Sequence, residues 1–286
     1  MHHERENKEI GKETPRQTSL PLIALEGVGG SGKSHIGELV TQELENQGWQ
    51  VLNAKISGLG DSKRVQRLRQ INDHREQLLK RGEATQKIVE DKKRDRIFRL
   101  ATRHQIKLLL QELEETDSDI GILDRTPIMP WVYSSASDPN NPYLDEILHD
   151  GLEQTSKLDI STIFFLDVSP QTAYSRIIAR AIKGSENSVE KVEELCKQIN
   201  ADKKSSEKIV RQTMKLISNS KIKPKEYRRW DFIPYKVMEK ECQKYREVFT
   251  ILQEEYSVST IFIDAEKPIK KVKTDLLSEI KRTQKL

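Results

Sequence analysis

The sequence predicts an α/β fold, in which a five-stranded parallel sheet is flanked by helices in a three-layer sandwich. Short apolar runs recur along the chain, long helical segments separate them, and a glycine-rich turn follows the first run. Parallel strands need crossovers of about a dozen residues or more, which these helical segments provide. The expected strands lie at 20–25, 49–54, 119–123, 161–166 and 259–263.

The segments between the strands carry helical patterns. An amphipathic helix is expected over 33–47, and Gly48 ends it. Residues 61–116 are predominantly helical and highly charged, and 97–113 presents a broad apolar face that should pack on a core. We expect residues 1–19, which are polar and unpatterned, to form a disordered tail.

The composition excludes several classes of protein. The 286 residues include 49 Lys and Arg against 45 Asp and Glu, and this net charge of +4 does not demand a polyanionic partner. No apolar run approaches the ~20 residues that span a bilayer, which excludes a membrane protein. Two cysteines are too few for the fold of a chain of this length to depend on disulfide bonds. The polar N-terminus has no signal-peptide pattern, so we expect a cytoplasmic protein.

The stretch 183–229 breaks the alternation of strands and helices. It holds 13 Lys or Arg and 7 Asp or Glu, with weak helical periodicity. We expect a helical insertion that is partly mobile and projects from the core, and a solvated spacer explains the composition equally well. Together with 61–107 this basic stretch would suit a nucleic acid, but aromatic residues are sparse in both, which favours solvated helix faces.

The turn after the first strand carries the strongest motif, Gly27-Val28-Gly29-Gly30-Ser31-Gly32-Lys33-Ser34, which matches G-x-x-x-x-G-K-[ST] in full. Its glycines let backbone N–H groups converge on phosphate oxygens, and the following helix directs its positive end at the same anion. The lysine suits the β- and γ-phosphates, and the final serine offers a hydroxyl to Mg²⁺. We therefore expect ATP and Mg²⁺ to bind at Gly27, Gly29, Gly30, Ser31, Gly32, Lys33 and Ser34.

A second candidate site follows the third strand, at Asp124-Arg125. Ligands of open parallel sheets gather at the carboxyl ends of the strands. There Asp124 can hold a water of the Mg²⁺ shell or accept a hydroxyl proton, and Arg125 can bind a phosphate through two N–H groups. A surface ion pair is the plain alternative.

Four segments resemble the thymidylate kinase and deoxynucleoside kinase branch of the P-loop kinases. They are Leu25-Glu26-Gly27 ahead of the loop, 99–105 (RLATRHQ), Leu123-Asp124-Arg125-Thr126, and 165–170 (FLDVSP) with the arginines that follow it. The resemblance implies that 20–286 is one kinase domain, with a nucleotide as its small-molecule substrate and homodimers as the common assembly.

The resemblance also implies roles for individual residues. The acceptor is the molecule that receives the phosphoryl group. Arg103 and Arg125 would bind its phosphate, and Gln105 would face its base. Arg176 and Arg180 share one helix face, and Arg180 is the better candidate to stabilise charge on the transferring phosphoryl group when a lid closes. The catalytic set is thus Lys33, Asp124, Arg125 and Arg180, with Ser34 and Asp124 at the metal.

Two departures from the family pattern bear on the acceptor. Gly29 stands where thymidylate kinases carry Asp, and Lys55-Ile56-Ser57-Gly58 replaces an element that supplies a Glu. Because no strong base is evident, a nucleoside monophosphate, whose oxygen is already ionised, is the favoured acceptor. Deoxynucleosides or other small molecules, a P-loop ATPase or GTPase without an acceptor (no N-K-x-D signature is present), and a protein that binds nucleotide without catalysis remain the alternatives.

Overall fold

Five parallel strands form the centre of the molecule. The computed structural model describes residues 20–56, 92–182, 188–219 and 234–284, with side chains in all of these except 92–102, 104 and 198. The strands are β1 Leu22–Glu26, β2 Val51–Lys55, β3 Ile120–Asp124, β4 Ile160–Asp167 and β5 Ser259–Asp264. They pair in the order β2-β3-β1-β4-β5, every pair parallel, which confirms the expected fold class.

Helices connect the strands, as the crossovers of a parallel sheet require. Two of them begin with a side-chain cap. The Ser169 hydroxyl accepts from the Thr172 N–H at the start of the helix Pro170–Ala181, and the Asp202 carboxylate accepts from the Ser205 N–H at the start of the helix Lys203–Ser218. The helices of the described residues are α1 Lys33–Asn46, α2 Lys92–Glu115, α3 Met129–Ser137, α4 Leu144–Lys157, α5 Pro170–Ala181, α6 Ser188–Gln198, α7 Lys203–Ser218, α8 Tyr235–Tyr256 and α9 Ile269–Gln284.

The strands run further towards their carboxyl ends than the apolar runs suggested. β1 ends at Glu26, β3 at Asp124 and β4 at Asp167, where the expected strands stopped one residue earlier. Backbone pairing continues through these acidic residues, since Lys55 pairs with Asp124 and Glu26 with Phe165. Apolar pattern alone therefore misses the polar residues that mark the rim of the sheet.

The central strand is buried on both faces. β1 lies between β3 and β4, and all five of its residues are buried. An aromatic cluster joins α8 to the sheet: the ring of Phe165 lies 5.1 Å from Tyr245, 5.3 Å from Phe249 and 5.5 Å from Phe262, measured between centroids. Each fully buried aromatic side chain stabilises the fold by about 2 kcal/mol, so α8 is a firmly attached part of the core.

Helix α7, which lies within the expected insertion, packs on α5. In α7, Ile209 and Thr213 are fully buried. The Ser175 hydroxyl of α5 donates to the Ile209 carbonyl at 3.2 Å, and the Thr213 hydroxyl donates to the Ser175 carbonyl at 3.4 Å. Helix α7 is therefore attached to the core through α5, and the bounds of the insertion stay a prediction because 183–187 and 220–229 lie outside the described residues.

Parts of the sequence-based expectations fall on residues that the structure does not describe. These are the tail at 1–19, the basic stretch 61–91, and the segments 183–187 and 220–229. Across the four described ranges, none of the helices combines the length and the apolar character needed to cross a membrane.

Candidate active site

The phosphate loop joins β1 to α1 at the edge of the sheet where the strands end. Its backbone takes positive φ at Gly30 (+83°) and Gly32 (+96°), a region that side chains rarely adopt. A Cβ at Gly30 would lie 2.3 Å from the carbonyl oxygen of Ala173 in α5. Glycine at position 30 therefore allows both the left-handed turn and the close approach of α5 to the loop.

Lys33 lies inside the loop. Its ammonium group donates to the carbonyl oxygens of Gly27 at 2.7 Å and Val28 at 3.4 Å, and only 6% of the residue is exposed. Burial, together with the positive charge of Arg125, lowers the pKa of Lys33 to about 7. A bound phosphate oxygen would offer this buried cation a stronger partner than a carbonyl dipole does.

Ser34 and Asp124 form a pair of oxygen groups beside the loop. The Ser34 hydroxyl donates to Oδ2 of Asp124 at 2.9 Å, and Lys55 Nζ lies 3.1 Å from the same oxygen. Burial acts to raise the pKa of Asp124, but Lys33, Lys55 and the Ser34 hydroxyl outweigh it, so the pKa lies below its ordinary value. The other oxygen, Oδ1, is buried without a hydrogen-bond partner in the described structure.

Arg125 takes a backbone conformation that is unusual for a residue with a side chain, with φ at +85°. Its N–H donates to the Leu25 carbonyl at 3.0 Å, which fixes the turn to the end of β1. The guanidinium group donates to the Tyr133 hydroxyl at 2.6 Å and lies 3.2 Å from the sulfur of Met129. Strain of this kind costs roughly 1–3 kcal/mol and clusters at functional sites.

Glu26 anchors the rim from beneath the loop. Its fully buried carboxylate accepts from the Thr126 N–H at 2.6 Å, the Thr126 hydroxyl at 2.7 Å, the Tyr245 hydroxyl at 3.1 Å and the Gly27 N–H at 3.4 Å. These bonds join the ends of β1 and β3 to α8. The sequence marked Glu26 only through the family resemblance and gave Tyr245 no role, because their partners are far apart along the chain.

Glu241 is a residue of the site that the sequence reasoning missed. It extends from α8, is 1% exposed, and interacts electrostatically with Lys33 and Arg125. A signal was present in the sequence: a carboxylate sits between Met238 and Tyr245 on the otherwise apolar face of an amphipathic helix.

Two of the three residues expected to hold the acceptor, Arg103 and Gln105, lie on α2. Arg103 already has a partner, since its Nε and Nη2 lie 2.7 Å and 2.6 Å from Oδ1 of Asp150 in α4. The carbonyl oxygen of the Gln105 side chain is buried and has no hydrogen-bond partner in the described part of the chain. Arg103 is therefore held by Asp150 within the fold, and the Gln105 side chain has one unpartnered oxygen.

Of the two arginines on α5, the structure brings Arg176 to the loop. Its guanidinium group donates to the Ser31 carbonyl at 3.2 Å and to the Ala265 carbonyl at 2.7 Å. Arg180, one turn further on and favoured from the sequence, is exposed. The i, i+4 spacing places both on one side of the helix, but only Arg176 lies close enough to touch the loop.

No protein-family model and no curated protein matches this sequence. Among solved structures, the chain is similar to that of a deoxyadenosine kinase from M. mycoides with bound dATP. The two sequences are 15% identical, the match covers 91% of this chain and 98% of the other, and the TM-score is 0.47. The assignment of a function therefore depends on the geometry of the site.

Proposed function

We propose that the chain is a P-loop phosphotransferase that transfers the γ-phosphoryl group of ATP, with Mg²⁺, to a nucleoside monophosphate. The observation that carries the proposal is the convergence of the phosphate loop, Lys33 and the Ser34–Asp124 pair at one rim of the parallel sheet. This rim is where open α/β sheets bind their ligands.

The residues present suit a magnesium ion. Mg²⁺ prefers hard oxygen ligands and keeps several waters, and the rim offers the Ser34 hydroxyl and a carboxylate with one unpartnered buried oxygen, Asp124 Oδ1. When bound, the ion would neutralise charge on the phosphate oxygens of the nucleotide. Lys33 would contribute the second neutralising charge by exchanging the Gly27 carbonyl for a phosphate oxygen.

The charges at the rim support a phosphate as the acceptor. A hydroxyl acceptor needs a base, and the end of β2, where related kinases supply a Glu, holds Lys55 instead. Lys55 pairs with Asp124 and, with Lys33, keeps its pKa low, so Asp124 is a weak proton acceptor. A phosphate monoester is ionised near neutral pH and needs no base, and Arg125 lies next in the chain to bind it.

The other site residues have supporting parts in this scheme. The side-chain carbonyl of Gln105 could accept from the N–H groups of the nucleobase of the acceptor. Arg103 would bind the acceptor once its ion pair with Asp150 is broken. Arg180 is exposed one turn after Arg176 on α5, and its proposed part is to stabilise charge on the transferring phosphoryl group. Arg176, which already contacts the loop, supports the ATP side instead.

The decisive experiment follows the γ-phosphate of labelled ATP. Purified protein is incubated with ATP and Mg²⁺ together with each nucleoside monophosphate, with each nucleoside, or without an acceptor, and the labelled products are separated by chromatography. Label on a nucleoside diphosphate supports the proposal. A labelled nucleoside monophosphate formed from an added nucleoside indicates a nucleoside kinase. Label only in free phosphate indicates a P-loop ATPase.

The substitution Lys33→Ala tests the role of the loop. Because one preorganised charge at the transferring group is removed, turnover should fall about 100-fold or more. The matched control is Lys271→Ala, which removes an exposed lysine from α9 that pairs with Asp275 and should leave turnover unchanged. Transfer at the wild-type rate by the folded Lys33→Ala protein would overturn the proposal.

A further inference from the structure

Helix α8 directs one face at the phosphate loop. Met238 lies beside the loop, since its methyl group would be 3.9 Å from a Cβ built on Gly29. Tyr245, two turns later, donates to Glu26 at the base of the loop. Glu241 lies between them on the same face, at i+3 from Met238 and i−4 from Tyr245, and is therefore aimed at the loop.

The Glu241 carboxyl group is buried, and one of its two oxygens has no hydrogen-bond partner in the described structure. The residue is 1% exposed, and its Oε2 makes no hydrogen bond in the described structure. Lys33 and Arg125 are near enough to act on it electrostatically, yet neither forms an ion pair with it within 4.0 Å among the described salt bridges. A buried carboxyl oxygen without a partner destabilises the fold, so its presence calls for an explanation.

A phosphate oxygen bound at Lys33, near Glu241, would supply the missing partner. Lys33 and Arg125 both attract anions, whereas an ionised carboxylate among them would repel one. A protonated carboxyl group instead has an O–H to donate. Burial favours that form, since it raises the pKa of Glu241 to about 8 although both cations act to lower it.

We propose, resting on the ATP site proposed above, that Glu241 is a third phosphate-binding side chain, which donates its carboxyl proton in a hydrogen bond to an oxygen of the bound triphosphate. The bond gives Glu241 its partner and adds a neutral donor beside Lys33, while Arg125 remains with the phosphate of the acceptor. The ligand class is a phosphate chain that reaches Lys33, and the site assigns to α8 a direct part in nucleotide binding.

The test measures binding of AMP-PNP with Mg²⁺ by calorimetry at pH 7 in the wild type and in two variants. Glu241→Met keeps the bulk and loses the donor, and we expect its affinity to fall about tenfold or more. Glu241→Gln keeps a neutral N–H donor, and we expect its affinity to fall by no more than about threefold. The controls are Glu247→Met and Glu247→Gln, which change an exposed carboxylate of the same helix.

Each outcome decides a different point. Wild-type affinity in both Glu241 variants overturns the inference and leaves the proposed function standing. Tighter binding by both variants overturns it as well, because it shows an ionised carboxylate that repels the nucleotide. A wild-type protein that does not bind AMP-PNP overturns the proposed function together with the inference.

If Glu241→Met does not fold, the same test is made by measuring nucleotide binding of the wild type and Glu241→Gln over a series of pH values. Raising the pH from 7 to 9 should weaken binding about fivefold more in the wild type than in Glu241→Gln, because only the wild type loses a carboxyl proton. Parallel pH profiles of the two proteins would overturn the inference. The other charged or titratable groups that face Glu241 are common to both proteins: Lys33, Arg125, Tyr133, Cys242 and Tyr245.

Discussion

Two glycines of the phosphate loop share a left-handed backbone but differ in their surroundings. A Cβ at Gly30 would lie 2.3 Å from a backbone carbonyl of α5, whereas a Cβ at Gly32 would meet nothing within 4 Å. The substitution Gly32→Ala should cost about 1 kcal/mol of unfolding free energy, from backbone strain alone. Gly30→Ala should cost about 3 kcal/mol or more, because α5 must also move.

Urea unfolding of the two alanine variants measures this difference. Equal costs for Gly30→Ala and Gly32→Ala would mean that α5 does not approach the loop as closely as the structure has it. The comparison is matched, because both variants add the same methyl group to the same loop.

Glu241 also links the stability of the protein to pH. Its pKa is about 8 in the folded chain against an ordinary value of 4.5, so the folded state keeps a proton that the unfolded state releases. Stability is therefore lost as the pH rises from about 4.5 to about 8. Glu241→Gln removes this loss, and its gain in unfolding free energy over the wild type should grow by on the order of 3 kcal/mol between pH 5 and pH 8.5.

Chemical denaturation at the two pH values tests this linkage. A gain that is the same at pH 5 and pH 8.5 would show that Glu241 has an ordinary pKa. Glu247→Gln serves as the control, because Glu247 is an exposed carboxylate on the same helix.

The residues of the site divide by how far apart their partners lie in the sequence. Local motifs revealed Lys33, Ser34 and Asp124, because the phosphate loop and the end of β3 are each read from a few consecutive residues. The bonds from Tyr245 to Glu26 and from Arg176 to Ser31 join distant segments, and nothing in the sequence fixes such distances. The sequence likewise could not show which of Arg176 and Arg180 contacts the loop, and the structure gives that contact to Arg176.

Among the helices, α7 shows how strongly an expectation depends on packing that the sequence does not display. Its polar composition suggested a projecting insertion, yet Ile209 is fully buried against the rest of the fold and α5 lies alongside. The weak apolar periodicity predicted a helix but not the surface that receives it. The ends of the strands were missed by a residue because they are polar.

The substitution Ile209→Ala tests the attachment of α7. It should lower the unfolding free energy by about 2–4 kcal/mol, because it opens a cavity in the contact between α7 and α5. Lys208→Ala, at the adjacent exposed position, should change stability by less than about 0.5 kcal/mol. Equal, small effects in thermal or urea unfolding of both variants would mean that α7 is not held on α5.

Over the molecule as a whole, the alternation of apolar runs and helices predicted five parallel strands, and all five are present. Their order, β2-β3-β1-β4-β5, is set by which faces pack together over long separations. That order puts the first strand in the centre, and this places the phosphate loop between the ends of β3 and β4. The sequence predicted the phosphate loop and the Asp124-Arg125 pair, and the strand order brings the two to one edge of the sheet.

The bond between Tyr245 and Glu26 spans 219 positions, and it has a consequence for synthesis on the ribosome. The glycine-rich bend is translated long before α8, the helix that completes it. A nascent chain that ends before position 235 contains the nucleotide motif without Glu241 or Tyr245. Capture of a nucleotide at the proposed site should therefore wait until α8 has been translated and has packed beside the loop.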